Sequence, residues 1–305
     1  MDCRNCYTTY DDVITSTINV LNKREESGYL IDNYYKPPVD SLRPIQEDYI
    51  HIHEDLDCRK KICEWTIGLI DHFDLSRQTF SITIDLFDRY FATRGNRSKS
   101  DLALLTALTS LYVAIKVNEK KKIALSTLVH LSRFKFTAED IEDMEMELLT
   151  SLSWLVHPPT AADYITQLVL LLPPHICPTT MSEICQSSRY NSELAVCDPY
   201  FIEHSKSSIA LASILNTLED EICYKELPLC NRETFVNNIE HKFNWIVAKT
   251  NDVNKCRDRL RFLKWEQEKI HSYDENENTI RTPDEKAIAI KRANGVTSPT
   301  SVIVL

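Results

Sequence analysis

Residues 100–116 read SDLALLTALTSLYVAIK, and the fold is decided in this stretch. At 100° per residue, Leu104, Leu108, Leu111 and Ile115 fall on one side of a helix, and Leu102 and Val113 fall on the other. A helix that is apolar in almost every direction has to be enclosed by neighbours, so this one predicts the centre of a helical domain. It ends on Lys116, followed by VNEKKK. A cation in a last helical turn is favourable by about 0.3–1 kcal/mol, and a lysine stem can cover apolar neighbours while its ammonium reaches water. Taken alone, Lys116 needs no other explanation.

Working outward, the neighbours needed to enclose that helix are present. In DCRKKICEWTIGLIDHFD (57–74), Ile62, Trp65, Leu69 and Phe73 recur at three and four residues, which predicts an amphipathic helix. SRQTFSITIDLFDRYF (76–91) starts on Ser76 as a cap and carries Phe80, Ile84, Phe87 and Phe91 towards Gly95. A shorter helix is predicted over 124–133, and Thr137 can cap a fifth, AEDIEDMEMELLTSLSW, with acids in its first turn. Pro158 and Pro159 then stop the pattern. Helical periodicity resumes at 160–172, near 180–196, and at 204–221, 231–243 and 251–270; Ile209, Ala210, Ala212, Ile214 and Leu215 mark a second largely buried helix.

The expectation is therefore an all-α chain. It has a mobile arm over 1–40, with a helical stretch near 13–25, a first domain over 41–158, a second over 159–270 and a loose tail over 271–305. Each domain is expected to hold about five helices around a central one.

Composition narrows the function classes. The four glycines, Gly28, Gly68, Gly95 and Gly295, are too far apart to build a phosphate-cradling loop. A net charge of −10 disfavours nucleic acid on average. No 18-residue wholly apolar run predicts a membrane span or a secretory leader. The ten cysteines are scattered, several in helical patterns where a free thiol serves as a small apolar group, which predicts a reduced chain. Cys3 and Cys6 have metal-ligand spacing without a second pair nearby, and His51, His53 and Glu54 stand in an irregular segment and lack a third ligand of obvious kind. No cofactor, metal or catalytic set is predicted, and a noncatalytic binding protein leads.

One further charge stands where carbon is expected. Ile141, Glu145, Leu148 and Leu152 share one stripe of the fifth helix, so Glu145 stands on its packing face. A lone carboxylate there needs a cation or a donor. Lys116 is a partner of the right kind; a rim position with Met144 turned inward, or a pair that docks another protein, are the other readings.

The succession CRKKICEW (58–65), LSRQTFSITIDLFDRYF (75–91), LLTALTSLYVAIKVNE (104–119), TAEDIEDMEMELLTSLSW (137–154) and HPPTAADYI (157–165) resembles the cyclin box. The likeness covers about residues 40–165, and reaches about 265 only as the helical organisation of a second, more divergent cyclin fold. It implies a noncatalytic subunit that forms a heterodimer with a cyclin-dependent serine/threonine kinase and activates it, with protein substrates or inhibitors as further partners. It implies kinase-interface roles for Lys116 and Glu145, with Phe136 and Leu148 as apolar interface residues or their support. Arg59 and Trp65 match the first-helix motif, and Asp88 and Arg89 the Asp-Arg pair of the second helix, for which a structural role is implied.

Many cell-cycle cyclins carry a substrate-docking patch of the form Met-Arg-x-Ile-Leu on the first helix. The corresponding residues here are Cys58, Arg59, Lys60, Lys61 and Ile62, followed by Trp65, which implies at most a weakened docking surface over Cys58, Arg59, Ile62 and Trp65. The segment RPIQEDYIHIHEDLD resembles D-type cyclins, although no Leu-x-Cys-x-Glu motif is present. A G1-like cell-cycle role in nucleus and cytoplasm is the first expectation. A transcription-related or signalling cyclin, or a cyclin-fold general transcription factor that binds nucleic acid, is the alternative. Thr282–Pro283 and Ser298–Pro299 are minimal proline-directed phosphorylation sites.

Overall fold

A computed structural model describes residues 3–31, 33–35, 45–94, 100–220 and 229–280. The described residues form α-helices and short 3₁₀ turns, with no strand among them. In chain order the helices are α1 (Cys3–Glu26), α2 (Ile45–His72), α3 (Arg77–Arg94), α4 (Ser100–Asn118), α5 (Leu125–Leu131), α6 (Ala138–Ser151), α7 (Ala161–Leu168), α8 (Pro178–Cys197), α9 (Lys206–Glu219), α10 (Leu229–Lys242), α11 (Asn244–Ala248) and α12 (Thr250–Ile280).

The starts of these helices follow local chemistry. Ser76 Oγ accepts from the Gln78 amide at 3.2 Å at the start of α3. Thr137 Oγ1 accepts from the Asp140 amide at 3.1 Å while Asp140 Oδ2 accepts from the Thr137 amide at 2.8 Å, a complete capping box on α6. Thr160 and Asp163 repeat it on α7, directly after Pro158 and Pro159. Ser205 caps α9 through the Ser208 amide.

Two cores result. Helix α4 packs against α2, α3 and α6, and the first core is built from residues such as Ile62, Leu69, Phe80, Phe87, Leu111, Ile115 and Met144. Over Asp101–Asn118 this helix is long and apolar enough to cross a membrane by length and composition alone; here its apolar surface is enclosed by those neighbours. Helix α9 occupies the matching place in a second core, packed by α7, α8 and α12. Almost every residue of α9 from Ser207 to Leu218 is buried.

Three expectations need correction. The arm over 1–40 is not loose over its described helix: α1 lies on the second core through Ile14 and Ile18, each worth about 1.5–3 kcal/mol once buried. Its end is fastened by Glu25, whose carboxylate accepts from the Tyr164 hydroxyl at 3.1 Å and from the backbone amide of Lys206 at the start of α9. Gly28 follows with φ +145°, and a Cβ there would stand 2.9 Å from Leu155 Cδ1, so only glycine lets the chain turn at this point. Second, α2 begins at Ile45, so His51, His53 and Glu54 lie within a helix and not in irregular chain. Third, α12 runs to Ile280, past the expected boundary at 270. Thr282–Pro283 and Ser298–Pro299 lie outside the described residues.

Candidate functional site

Helix α4 is held by its core up to Ile115, which is 1% exposed, so the next residue is delivered to the surface in a fixed direction. Helix α6 is anchored on the same core by Met144 and Leu148 and on a small neighbouring cluster by Ile141, all buried, and this places Glu145 opposite Lys116. Lys116 Nζ donates to both carboxylate oxygens of Glu145 at 2.7 Å. The lysine side chain is 43% exposed and the glutamate 17%. One turn earlier on α4, the Tyr112 ring lies under the ammonium, 3.9 Å from Nζ to the ring centroid. Carboxylate and ring together fix the lysine head at the surface without burying it.

The other expected interface residues separate. Phe136 is half-buried on the small cluster of Leu108, Leu128 and Ile141, in the turn between α5 and α6. Leu148 is 0% exposed and belongs to the core, so it supports α6 from beneath and is not a contact residue. Two apolar residues of the same region went unrecognised in the sequence. Phe134 is 69% exposed in the α5–α6 turn, where φ is +62°, and Met146, next to Glu145 on α6, is also exposed. The signal was available: Phe134 and Phe136 flank Lys135 in a segment without helical period, and Met146 falls off the apolar stripe of α6.

Of the expected docking surface on α2, Arg59 and Ile62 are withdrawn into the core. Arg59 and Ile62 are 2% and 3% exposed, and Cys58 and Trp65 are half-buried against the first core. Positions 58, 62 and 65 repeat at four and three residues, so they share the packing face; Lys60, Lys61 and Glu64 face solvent instead. Arg59 is an internal tie. Its Nε and Nη2 donate to Asp88 Oδ1 and Oδ2 at 2.9 and 2.8 Å, and its other donors reach the carbonyls of Val196 and Cys197 on α8. Asp88 also accepts from the Tyr34 hydroxyl at 2.9 Å. Arg89 donates to the Leu155 carbonyl at 2.6 Å, lies 3.5 Å from Asp85, and stacks over Tyr29. Burial pushes the Asp85 carboxyl up, against the pull of Lys206 and Arg89.

A cavity of about 40 Å³ lies beneath Arg59 and Asp88, bounded by Asp85, Pro158, Lys206 and Ile209, which is room for a few water molecules. The ligand atoms of His204, Asp252 and Cys256 lie within 4.8 Å of one another. His204 Nδ1 already sits 2.5 Å from Asp252 Oδ1, and burial pushes the Cys256 thiol up. Cys3 and Cys6 both lie in α1. Lys120, Lys121 and Lys122 are exposed after α4, with Lys121 Nζ 3.6 Å from Asp74.

Residues 34–157 match the family model described as cyclin, N-terminal domain. Cyclin-D3-3 of Arabidopsis thaliana is 24% identical over 69% of this chain and 58% of its own length. G1/S-specific cyclin-E1 of Gallus gallus is 26% identical over 48% of this chain and 32% of its own length. The chain thus spans less than two thirds of these curated relatives. Among solved structures, a viral cyclin from herpesvirus saimiri aligns with a TM-score of 0.53 at 19% identity, covering 68% of this chain and 86% of that one. The yeast TFIIK complex (Kin28/Ccl1/Tfb3) contains a chain that aligns at 0.51 and 19% identity, covering 68% of this chain and 87% of that one. These structures share its fold. Residues 34–157, the segment with buried α4 and the helices packed around it, are thus similar to the cyclin N-terminal domain.

Proposed function

We propose that this chain is the regulatory subunit of a cyclin-dependent serine/threonine kinase, which it binds as a heterodimer and activates. The observation that carries the reading is the Lys116–Glu145 pair, held at the surface by two helices of one core. An ammonium has three donors, and Glu145 uses two of them, leaving one for a carbonyl of the kinase's regulatory helix or its adjoining backbone. Phe134 and Phe136 supply apolar contact beside it. Binding preferentially to the assembled kinase shifts its population towards that state, and the phosphoryl-transfer groups all belong to the kinase.

The finer reading is a G1-like cell-cycle cyclin acting in nucleus and cytoplasm, with a second cyclin fold over 159–270. The long stretch shared with Cyclin-D3-3, 223 residues, supports the first part. The arrangement of α7, α8 and α12 around buried α9 supports the second. With Arg59 and Ile62 buried, substrates or inhibitors would be recruited elsewhere than on the apolar face of α2.

Affinity purification from the source cell tests the reading, comparing wild type with the double variant Lys116→Ala, Glu145→Ala. A cyclin-dependent kinase should be recovered with wild type and lost from a variant that circular dichroism shows to be still helical. Equal recovery would overturn the interface, and recovery of DNA-binding machinery without a kinase would overturn the functional class.

A further inference from the structure

At the start of α9, three side chains of metal-ligating types converge from two parts of the second core. His204 follows the 3₁₀ turn Pro199–Glu203 and precedes the Ser205 cap. Asp252 and Cys256 stand one turn apart on α12 and so share a face of that helix. One ligand atom from each of the three lies within 4.8 Å of the other two. None of these residues stood out in the sequence, where 48 residues separate the histidine from the aspartate. The group is an interior one: His204 is 6% exposed and Cys256 0%, while the Asp252 side chain, at 32%, leaves a way in from solvent. We propose that His204, Asp252 and Cys256 form a zinc site, with one ring nitrogen, one carboxylate oxygen and one thiolate sulfur as ligands and a water in the fourth position.

The chemistry of the set selects the ion. Calcium and magnesium take oxygen ligands, whereas zinc accepts a mixed set of imidazole, carboxylate and thiolate in tetrahedral geometry. Ligand atoms about 2.0–2.3 Å from a tetrahedral ion stand roughly 3.3–3.6 Å apart, so the three here reach it through side-chain adjustments of about 1 Å. The imidazole gives up little. Its Nδ1 sits 2.5 Å from Asp252 Oδ1, and its Nε2 is buried with no hydrogen-bond partner among the described residues, so the one bond it loses is to a residue that becomes a fellow ligand. The rings of Tyr200 and Phe201, 4.8 and 6.1 Å away, pack against it and hold its plane. The charges nearby leave room for a cation. Lys249 acts on Asp252, but its ammonium is turned to Asn22 and Ser207 at 3.4 Å and stands over the Trp245 ring; among the described ion pairs Asp252 has His204 alone. Burial and the Asp252 charge push the Cys256 thiol up while no ion is bound. Two positive charges beside the sulfur reverse that, and the thiol proton leaves to solvent as the Zn–S bond forms. The ion ties the turn before α9 to α12, which already pack in one core, and touches neither helix that carries Lys116 and Glu145.

The test uses the full chain, reduced, stripped of metal with a chelator and titrated with cobalt(II), which occupies zinc sites and reports their ligands by absorption. One equivalent should produce the intense visible bands of a tetrahedral ion together with a thiolate charge-transfer band, and one equivalent of zinc should erase both. The charge-transfer band should vanish in Cys256→Ser. It should persist in a chain carrying Cys3→Ser, Cys6→Ser and Cys177→Ser, which excludes the N-terminal pair and the exposed thiol as its source. Asp252 is partly exposed, and the side chain of Asp252→Asn can still accept from His204, so this variant keeps the local hydrogen bond while losing the charge. It should weaken cobalt binding by about tenfold or more and remove the upward shift in melting temperature that zinc gives the wild type. Circular dichroism verifies that the variants remain helical. A spectrum that stays octahedral at several equivalents of cobalt, a charge-transfer band that survives in helical Cys256→Ser or is lost with the other three thiols, or unchanged binding by Asp252→Asn would each overturn the site.

Discussion

Arg59 and Asp88 form a bidentate ion pair at 2.8 and 2.9 Å, with the two side chains 2% and 8% exposed, and the same guanidinium caps the carbonyl end of α8. This one contact joins α2 to α3 within the first core and to α8 of the second. In so dry a place, removing either partner strands a charge, at a cost of about 3–5 kcal/mol. Arg59→Ala or Asp88→Ala should therefore lower the denaturant midpoint sharply, with a similar loss from each. Arg59→Met combined with Asp88→Leu should recover much of it, because no lone charge is left. A double variant no more stable than the worse single one would show that the carbonyl contacts to α8 dominate instead.

The Lys116–Glu145 pair should behave in the opposite way. Lys116 is 43% exposed, and partly exposed ion pairs are worth about 0–1 kcal/mol. Lys116→Ala should leave the melting temperature almost unchanged while reducing kinase recovery at least tenfold. The exchange Lys116→Glu with Glu145→Lys keeps an internal pair but reverses what a partner meets. It should bind as poorly as the alanine variant, measured by calorimetry against a purified kinase.

Glu25 holds α1 down by accepting from the Tyr164 hydroxyl and the Lys206 amide while 1% exposed. Glu25→Ala leaves both donors buried without an acceptor, at about 1–3 kcal/mol. Hydrogen exchange should then rise in α1 and at the start of α9 while α2 to α4 keep their protection. Uniform loss of protection would mean that α1 is integral to both cores.

Asp140 carries a readable pH signature. The backbone amide and then the hydroxyl of Thr137 hydrogen-bond its carboxylate and hold it below the ordinary range. An acid lowered in the folded state contributes stability that is present above its unfolded value, about 3.9, and that is lost as pH falls through the folded value. NMR titration should place the Asp140 midpoint below about 3.9 in the wild type. In Thr137→Val, which removes the hydroxyl and keeps the amide, it should rise part of the way back. An unchanged midpoint would assign the shift to the amide alone.

Helix type, order and capping were legible in the sequence because they depend on neighbours three or four residues away. The all-round apolar run of α4, the Thr137 cap and the stop at Pro158–Pro159 are local in this sense, and so was the out-of-stripe charge of Glu145. Tertiary structure decided what faces what. Arg59 and Ile62 repeat at a helical spacing that fits either a docking face or a core face, and only the arrival of α3 and α8 buried them. Leu148 reads as apolar in either role until α6 is laid on α4. The polar arm around Glu25 shows no long apolar stripe, yet it is ordered by two donors from α7 and α9, more than a hundred residues away in sequence. The sequence by itself determined the order of the periodic helices and, where a cap such as Ser76 or Thr137 stands, the point at which they begin; burial, which depends on contacts between distant segments, determined which of their side chains remain available to a partner.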